Sequence, residues 1–175
     1  MKAILTQFLA EVWNSGDFRN LESLVTNPYH VLSDPGDPWN GQSLDYETLR
    51  QRVAYTRNAF PDVHFDVQEM VAEQETVAIR WVMSGTHTGN LPSLPATGKR
   101  FAIEGMTFYC FTNGKISGHR QSFNQLGFLA QIGRLDVLAG NPNPTHSATA
   151  PAANPPAPTA PEPPPSSPPH TSAPP

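Results

Sequence analysis

The chain has 175 residues and a formal net charge of −4, a balance that argues against nucleic acid as a partner. Its single cysteine, Cys110, excludes an internal disulfide and fits a reducing, cytoplasmic compartment. No apolar run approaches the length needed to cross a bilayer, and the N-terminal residues lack the apolar stretch of a signal peptide, so no membrane association is expected.

Composition divides the chain in two. All eleven Lys and Arg residues lie at or before Arg134, and fourteen of the twenty prolines fall from Pro142 onward. So few aromatic and branched apolar residues cannot offset the entropy of ordering a backbone. Residues 139–175 are therefore expected to form a disordered proline-rich tail, and residues 1–138 one domain with its own core. In the tail Pro155, Pro158, Pro161 and Pro164 recur at the three-residue period of a polyproline II helix. Such spacing suits either an SH3-type groove or a solvated spacer, and the sequence identifies no partner for it.

Leu5, Phe8, Leu9, Val12 and Trp13 form one apolar stripe of an α-helix, which Asn14-Ser15-Gly16 should stop. Asp17 is expected to cap a second short helix burying Phe18, Leu21, Leu24 and Val25, with Pro28 as its end. A short strand over Tyr29–Leu32 leads into a polar loop, Ser33 to Gly41. A third helix, capped by Ser43, turns Tyr46, Leu49, Val53 and Phe60 inward and closes at Phe60-Pro61-Asp62. Arg50, Arg52 and Arg57, just after Asp45 and Glu47, read as a solvated face of that helix.

The period then changes to two. Val63, Phe65 and Val67 alternate with polar residues, and parity slips near Gln68–Met70, where a bulge is expected. Val77, Ile79, Trp81 and Met83 face one way in the next strand. Phe101, Ile103, Thr107, Tyr109 and Phe111 line one side of a third strand, whose other side is also apolar. Asn113-Gly114 is a hairpin turn, because both central residues of a type I′ turn need positive φ. The strand from Lys115 leads to a short amphipathic helix ending near Gly133. Helices followed by an antiparallel run make an α+β domain.

The segment Gly114 to Gly133, together with Phe60-Pro61-Asp62, Gly85-Thr86-His87-Thr88-Gly89 and Pro95-Ala96-Thr97-Gly98-Lys99, resembles the SnoaL-like polyketide (ester) cyclases of the nuclear-transport-factor-two-like superfamily. The resemblance covers roughly residues 3–134. It implies a cone-shaped curved antiparallel sheet wrapped over three helices and enclosing a pocket. It also implies a cofactor-free reaction, in which an aspartate moves a proton during aldol closure of a polyketide ester. Where relatives carry that aspartate, this chain reads Arg120-Gln121-Ser122-Phe123-Asn124. Alignment sets Asn124 at the aspartate position and Gln121 at a second position often acidic in relatives.

An amide cannot serve as a base near pH 7, though Asn124 can still hydrogen-bond a carbonyl; the substitute bases are His119, His87 and Glu104. Each has a plainer alternative. His87 could hold loop backbone, His119 could be exposed, and Glu104 could pair with Arg80 or Arg100. Arg80 is a candidate cation for the pocket or a structural ion pair. Trp81, Tyr109 and Arg120 are candidate ligand contacts, and Trp39 is either a lid or a loop anchor. Scattered histidines and the absence of paired cysteines give no metal site. No Asp-Arg-Asp set, as used by epoxide hydrolases of the superfamily, is evident. Two functions remain open. One is a cyclase or isomerase acting on a small hydrophobic, carbonyl-containing molecule; the other is a non-catalytic ligand-binding or dimerisation module. A homodimer through the open sheet face is expected in either case.

Overall fold

The computed structural model describes residues 1–139, so the tail expected over residues 139–175 falls, from residue 140 on, outside the described residues. Helix α1 (Lys2–Phe8) runs into a π-helical segment, Leu9–Ser15, that ends at Gly16 in the left-handed region with φ of 68°. The expected stripe Leu5, Phe8, Leu9, Val12 and Trp13 is buried throughout. Helix α2 (Leu21–Leu24) starts later than expected. Asp17 accepts the Arg19 amide at 3.0 Å instead of capping it. Pro28 lies inside strand β1 (Val25–Ser33), one turn beyond the helix end.

Strand β2 (Ser43–Leu44) takes Ser43 into the sheet, and the cap of α3 (Tyr46–Ala59) is Asp45, which accepts the Thr48 amide at 2.8 Å. Four further strands follow: β3 (His64–Glu73), β4 (Thr76–Thr86), β5 (Arg100–Thr112) and β6 (Lys115–Phe123). Helix α4 (Gln125–Ile132) and a 3₁₀ turn, Leu135–Ala139, complete the described chain.

The six strands form one curved, unclosed sheet in the order β2-β1-β6-β5-β4-β3. The expected bulge is present, since β3 shifts register against β4 between Val67 and Glu69. Asn113 and Gly114 both have positive φ, 50° and 79°, as the β5–β6 hairpin requires. One pairing departs from the antiparallel expectation: β1 runs parallel to β6. The chain can do this because α3 and four strands intervene before β6 returns to the β1 edge.

Strand β5 alternates buried and exposed residues along nearly its whole length, with Phe101, Ile103, Gly105, Thr107, Tyr109 and Phe111 inward. Gly105 matters here, because a Cβ at that position would meet the Trp81 ring at 2.3 Å. The inner face carries two apolar clusters. One joins Leu5, Phe8, Trp13, Leu49 and Val53 to the sheet. The other gathers Phe60, Phe101, Phe128, Leu129 and Ile132, with the three phenylalanine rings meeting edge to face at 4.9–5.7 Å. The space between these clusters is the cavity. Among the described residues no helix is long and apolar enough to cross a membrane.

Candidate active site

The cavity has a volume of about 600 Å³. Phe60, Phe65, Met83, Ile103, Phe128 and Leu129 form its apolar walls, and Tyr29, Asp34, Arg52, Tyr109, His119 and Gln121 its polar floor. The floor is built from four places in the sequence.

Asp34 follows the last residue of β1 and is 2 % exposed. Its amide donates to Asn40 Oδ1 at 2.7 Å, and the Asp37 amide donates to the Asp34 carbonyl at 3.0 Å. These bonds turn the loop back on itself and leave the Asp34 carboxylate aimed inward. Arg52 comes from α3, where it shares a face with Leu49 and Val53 and is 3 % exposed. His119 and Gln121 come from β6, and Tyr109 from β5.

Arg52 Nη2 donates to Asp34 Oδ2 at 2.7 Å, and Arg52 Nε donates to Asp37 Oδ2 at 2.9 Å. Its guanidinium also stacks over Trp13, 5.1 Å from the ring centroid. Burial works against the Arg52 charge, but Asp37, Tyr29 and Asp34 outweigh it, and the guanidinium is held more firmly protonated than usual. Gln121 Nε2 donates to both oxygens of Asp34, each at 3.2 Å. His119 Nε2 lies 3.4 Å from Asp34 Oδ2 and 3.5 Å from Arg52 Nη2, while its Nδ1 lies 2.7 Å from the Tyr29 hydroxyl.

Burial pushes the His119 imidazole below its ordinary value, and the adjacent Arg52 charge adds to that, against the opposing pull of Asp34. The ring is therefore neutral at pH 7. With its proton on Nε2 it donates to Asp34 and accepts from Tyr29; with the proton on Nδ1 it donates to Tyr29. Burial also pushes both tyrosine hydroxyls, Tyr29 and Tyr109, above their ordinary value, so they remain protonated donors. Two aspartates against one arginine leave the floor with an excess negative charge. No group of three or more His, Cys, Asp or Glu side chains among the described residues is arranged to hold a metal ion.

The sequence candidates divide three ways. His119 and Tyr109 line the cavity. Trp81 and His87 are buried beside it: Trp81 lies behind Phe65, and His87 sits against Phe60 and Phe128. The backbone of His87 also organises its loop, its carbonyl accepting the amides of Thr97 and Gly98. Trp39 is half-buried and packs edge to face on Tyr55, a lining residue, at 5.5 Å.

Asn124, Glu104, Arg80 and Arg120 lie elsewhere. Asn124 caps α4, its Oδ1 accepting the Gly127 amide at 2.8 Å. Glu104 is exposed on the outer face, 3.8 Å from Arg80 Nη1, and Arg80 also binds Glu69 at 3.2 Å. Arg120 is exposed there too, beside Cys110 Sγ at 3.5 Å. Alternation along β5 and β6 accounts for this: even-numbered residues of β5 point outward, and Arg120 opposes Phe108 on the same side.

The sequence reading missed Asp34, Asp37 and Arg52. Arg52 does not belong to a solvated face with Arg50 and Arg57. Only Arg50 meets acids at the surface, Glu22 and Glu47, while Arg57 donates to the carbonyls of Trp13 and Asn14 at 3.0 and 2.9 Å. The signal was the helical period itself, because positions 49, 52 and 53 share one stripe. An Asp-Arg-Asp grouping is thus present as Asp34, Arg52 and Asp37. The two aspartates are separated from Arg52 in sequence by strand β2 and the first two turns of α3, which hid it.

The family model for SnoaL-like polyketide cyclase matches residues 3–132. Aklanonic acid methyl ester cyclase DnrD of Streptomyces peucetius is 27% identical over 130 residues, 74% of this chain and 88% of that protein. A crystal structure of a protein proposed to be a polyketide cyclase, from Acidithiobacillus ferrooxidans, superposes with a TM-score of 0.70 at 39% identity, covering 76% of this chain and 94% of that one. The structure of TsrD from Streptomyces laurentii shares the fold, with a TM-score of 0.65 at 23% identity over 77% of this chain and 95% of its own. With its curved sheet, its inner cavity and a match across nearly all the described residues, the chain belongs to the SnoaL-like polyketide cyclase family.

Proposed function

We propose that the protein is a cofactor-free cyclase or isomerase acting on a polyketide-like carbonyl compound, with Asp34 as its base. One observation carries this reading: among the described residues, the charged side chains of the cavity wall are gathered in a buried group centred on the Asp34 carboxylate. An aldol closure needs a base for the proton α to a carbonyl, donors for the enolate oxygen, and an acid for the new alkoxide. Asp34 takes the α-proton. The resulting enolate forms the carbon–carbon bond to a second carbonyl of the same molecule, and the proton returns to the oxygen of that carbonyl. No atom is gained or lost.

The Arg52 guanidinium and the Tyr109 hydroxyl supply donors at the floor, and His119 relays protons between Asp34 and Tyr29. The apolar walls take the hydrocarbon or ring portion of the ligand and keep water from the enolate. The name of DnrD, aklanonic acid methyl ester cyclase, supports a methyl ester as the first compound to test, and a second carbonyl that acidifies the α-proton makes it a β-ketoester.

The protein acts in the cytoplasm, a reading supported by the free thiol of Cys110. It forms a homodimer through the outer sheet face, where Val71, Met106 and Phe108 are exposed.

The test is turnover of aklanonic acid methyl ester or a simpler linear β-ketoester by the full chain and by Asp34→Asn. Loss of turnover by a factor of about 10² to 10⁴, with ligand binding retained, supports the reading. Equal turnover in the variant overturns it. The Asp34–Arg52–Asp37 grouping favours one other reading, addition of water to an epoxide with one carboxylate activating the water. A diol product from an epoxide, with the ketoester untouched, would select it.

A further inference from the structure

A buried hydrogen-bond chain lies behind the floor of the cavity. Trp81 Nε1 donates to Thr107 Oγ1 at 2.9 Å. Thr107 Oγ1 donates to Gln121 Oε1 at 2.9 Å, and Gln121 Nε2 donates to Asp34. Trp81 is 1 % exposed and Thr107 fully buried, so water does not compete for either group. The indole can only donate, and an ionised carboxylate can only accept. Those two ends force the direction of everything between them. Asp34 takes the NH₂ of Gln121, so the Gln121 oxygen faces Thr107, and the Thr107 hydroxyl gives it its proton while accepting from Trp81 on a lone pair.

We propose that Thr107 is a positioning residue of the site: its proton anchors the Gln121 oxygen, and the carboxamide so fixed holds the Asp34 carboxylate at the cavity floor. This rests on the reading of Asp34 as the base. Without the Thr107 proton, the buried Gln121 oxygen loses its donor, and the carboxamide is anchored only at its Asp34 end. Gly105 belongs to the same device. It lies opposite Trp81 on β5, and its lack of a side chain lets the indole cross the strand to reach Thr107.

The experiment uses NMR on the full chain, isotope-labelled, and needs no substrate, so its failure is separable from failure of the Asp34 reading. In Thr107→Val, an isosteric change, the Trp81 indole proton and the Gln121 side-chain protons should exchange with solvent at least about tenfold faster. The Gln121 carboxamide and Asp34 carboxyl resonances should move, while the backbone amide spectrum stays folded. Thr107→Ser should restore all of these signals. Unmoved Gln121 and Asp34 signals in Thr107→Val, or signals that Thr107→Ser does not restore, overturn the proposal. Should Thr107→Val not fold, Thr107→Ala decides: it removes the same proton without adding a methyl group, so the Gln121 carboxamide signals must shift or broaden. Their persistence unchanged would overturn the proposal too.

Discussion

Arg52 joins the site to the stability of the domain. Among the described residues it is the only Lys or Arg on the cavity floor and it holds two carboxylates, so its loss strands Asp34 and Asp37 without that counter-charge. Breaking one side of a buried ion pair costs about 3–5 kcal/mol, far more than a surface pair. We expect Arg52→Leu to lower stability by about that amount, and Arg50→Leu by under about 1 kcal/mol, both measured by urea unfolding. Equal effects would mean that the buried pairs are not formed in solution. His119 sets a pH dependence of definite sign. Its folded value lies below its ordinary 6.5, because burial and Arg52 disfavour the charge while Asp34 and Asp37 oppose them. Tyr29 and Tyr109, the other titratable groups facing it, stay neutral there. The unfolded chain therefore binds more protons once pH falls below about 6.5, and the His119 contribution to stability, intact above that pH, is lost toward the lower folded value. His87, lowered by burial as well, adds to the same slope. The urea midpoint should fall between pH 7.5 and 5.5, and fall less in His119→Gln. An identical fall in that variant would remove His119 as a cause. Arg52 and Asp34 escaped notice in the sequence because each has a common plainer explanation, a charge on a helix and an aspartate before proline in a turn. Their pairing across residues 34 to 52 exists only once β1 and α3 are packed together.

At the scale of elements the sequence was more informative, because periodicity is a local property. The stripes of α1 and α3, the alternation of β4 and β5, the bulge near Val67 and the Asn113-Gly114 turn all follow from spacing or from the φ demanded of particular residues. Caps were less legible: Ser43 and Asp45 are both good caps, and the choice between them depended on β2 taking Ser43. Asn124 shows the same ambiguity at the position that the family resemblance marks for the aspartate. A side chain between β6 and α4 can face the cavity or turn back to the helix, and its bond to the Gly127 amide shows the second. That geometry makes a prediction. Asn124→Ala should cost about 1 kcal/mol through loss of the cap. Asn124→Asp should stay within about 0.5 kcal/mol of wild type, since a carboxylate suits a helix N-terminus. Neither should change ketoester turnover by more than about twofold, because the side chain lies outside the cavity lining. A marked gain in turnover from Asn124→Asp would return that position to the site.

At the scale of the whole molecule, the two faces of the sheet differ in character. Helices and the cavity cover the inner face, whereas the outer face carries large apolar side chains that an ordinary solvated face would not. Cross-strand register puts Val71, Ala78, Phe108 and Arg120 in one row, and Glu69, Arg80, Met106 and Ser122 in the next. Val71, Met106 and Phe108 are 66 %, 56 % and 52 % exposed, and the Arg80 ion pairs with Glu69 and Glu104 run alongside. An apolar centre edged by charges is the composition of an interface, and a second copy of the chain brings a matching one. If two copies meet there, Phe108→Glu should give a monomer by light scattering at tens of micromolar, where wild type is a dimer. The substitution is chosen to spare the fold. A glutamate at 108 has Arg120 as its cross-strand neighbour within one chain, but it buries an acid near its own copy across the interface. Because position 108 faces away from the cavity, turnover per chain should be unchanged in the monomer. A wild-type monomer at that concentration would end the dimer reading. A Phe108→Glu monomer with lost turnover would mean instead that the second copy supports the cavity from behind the sheet.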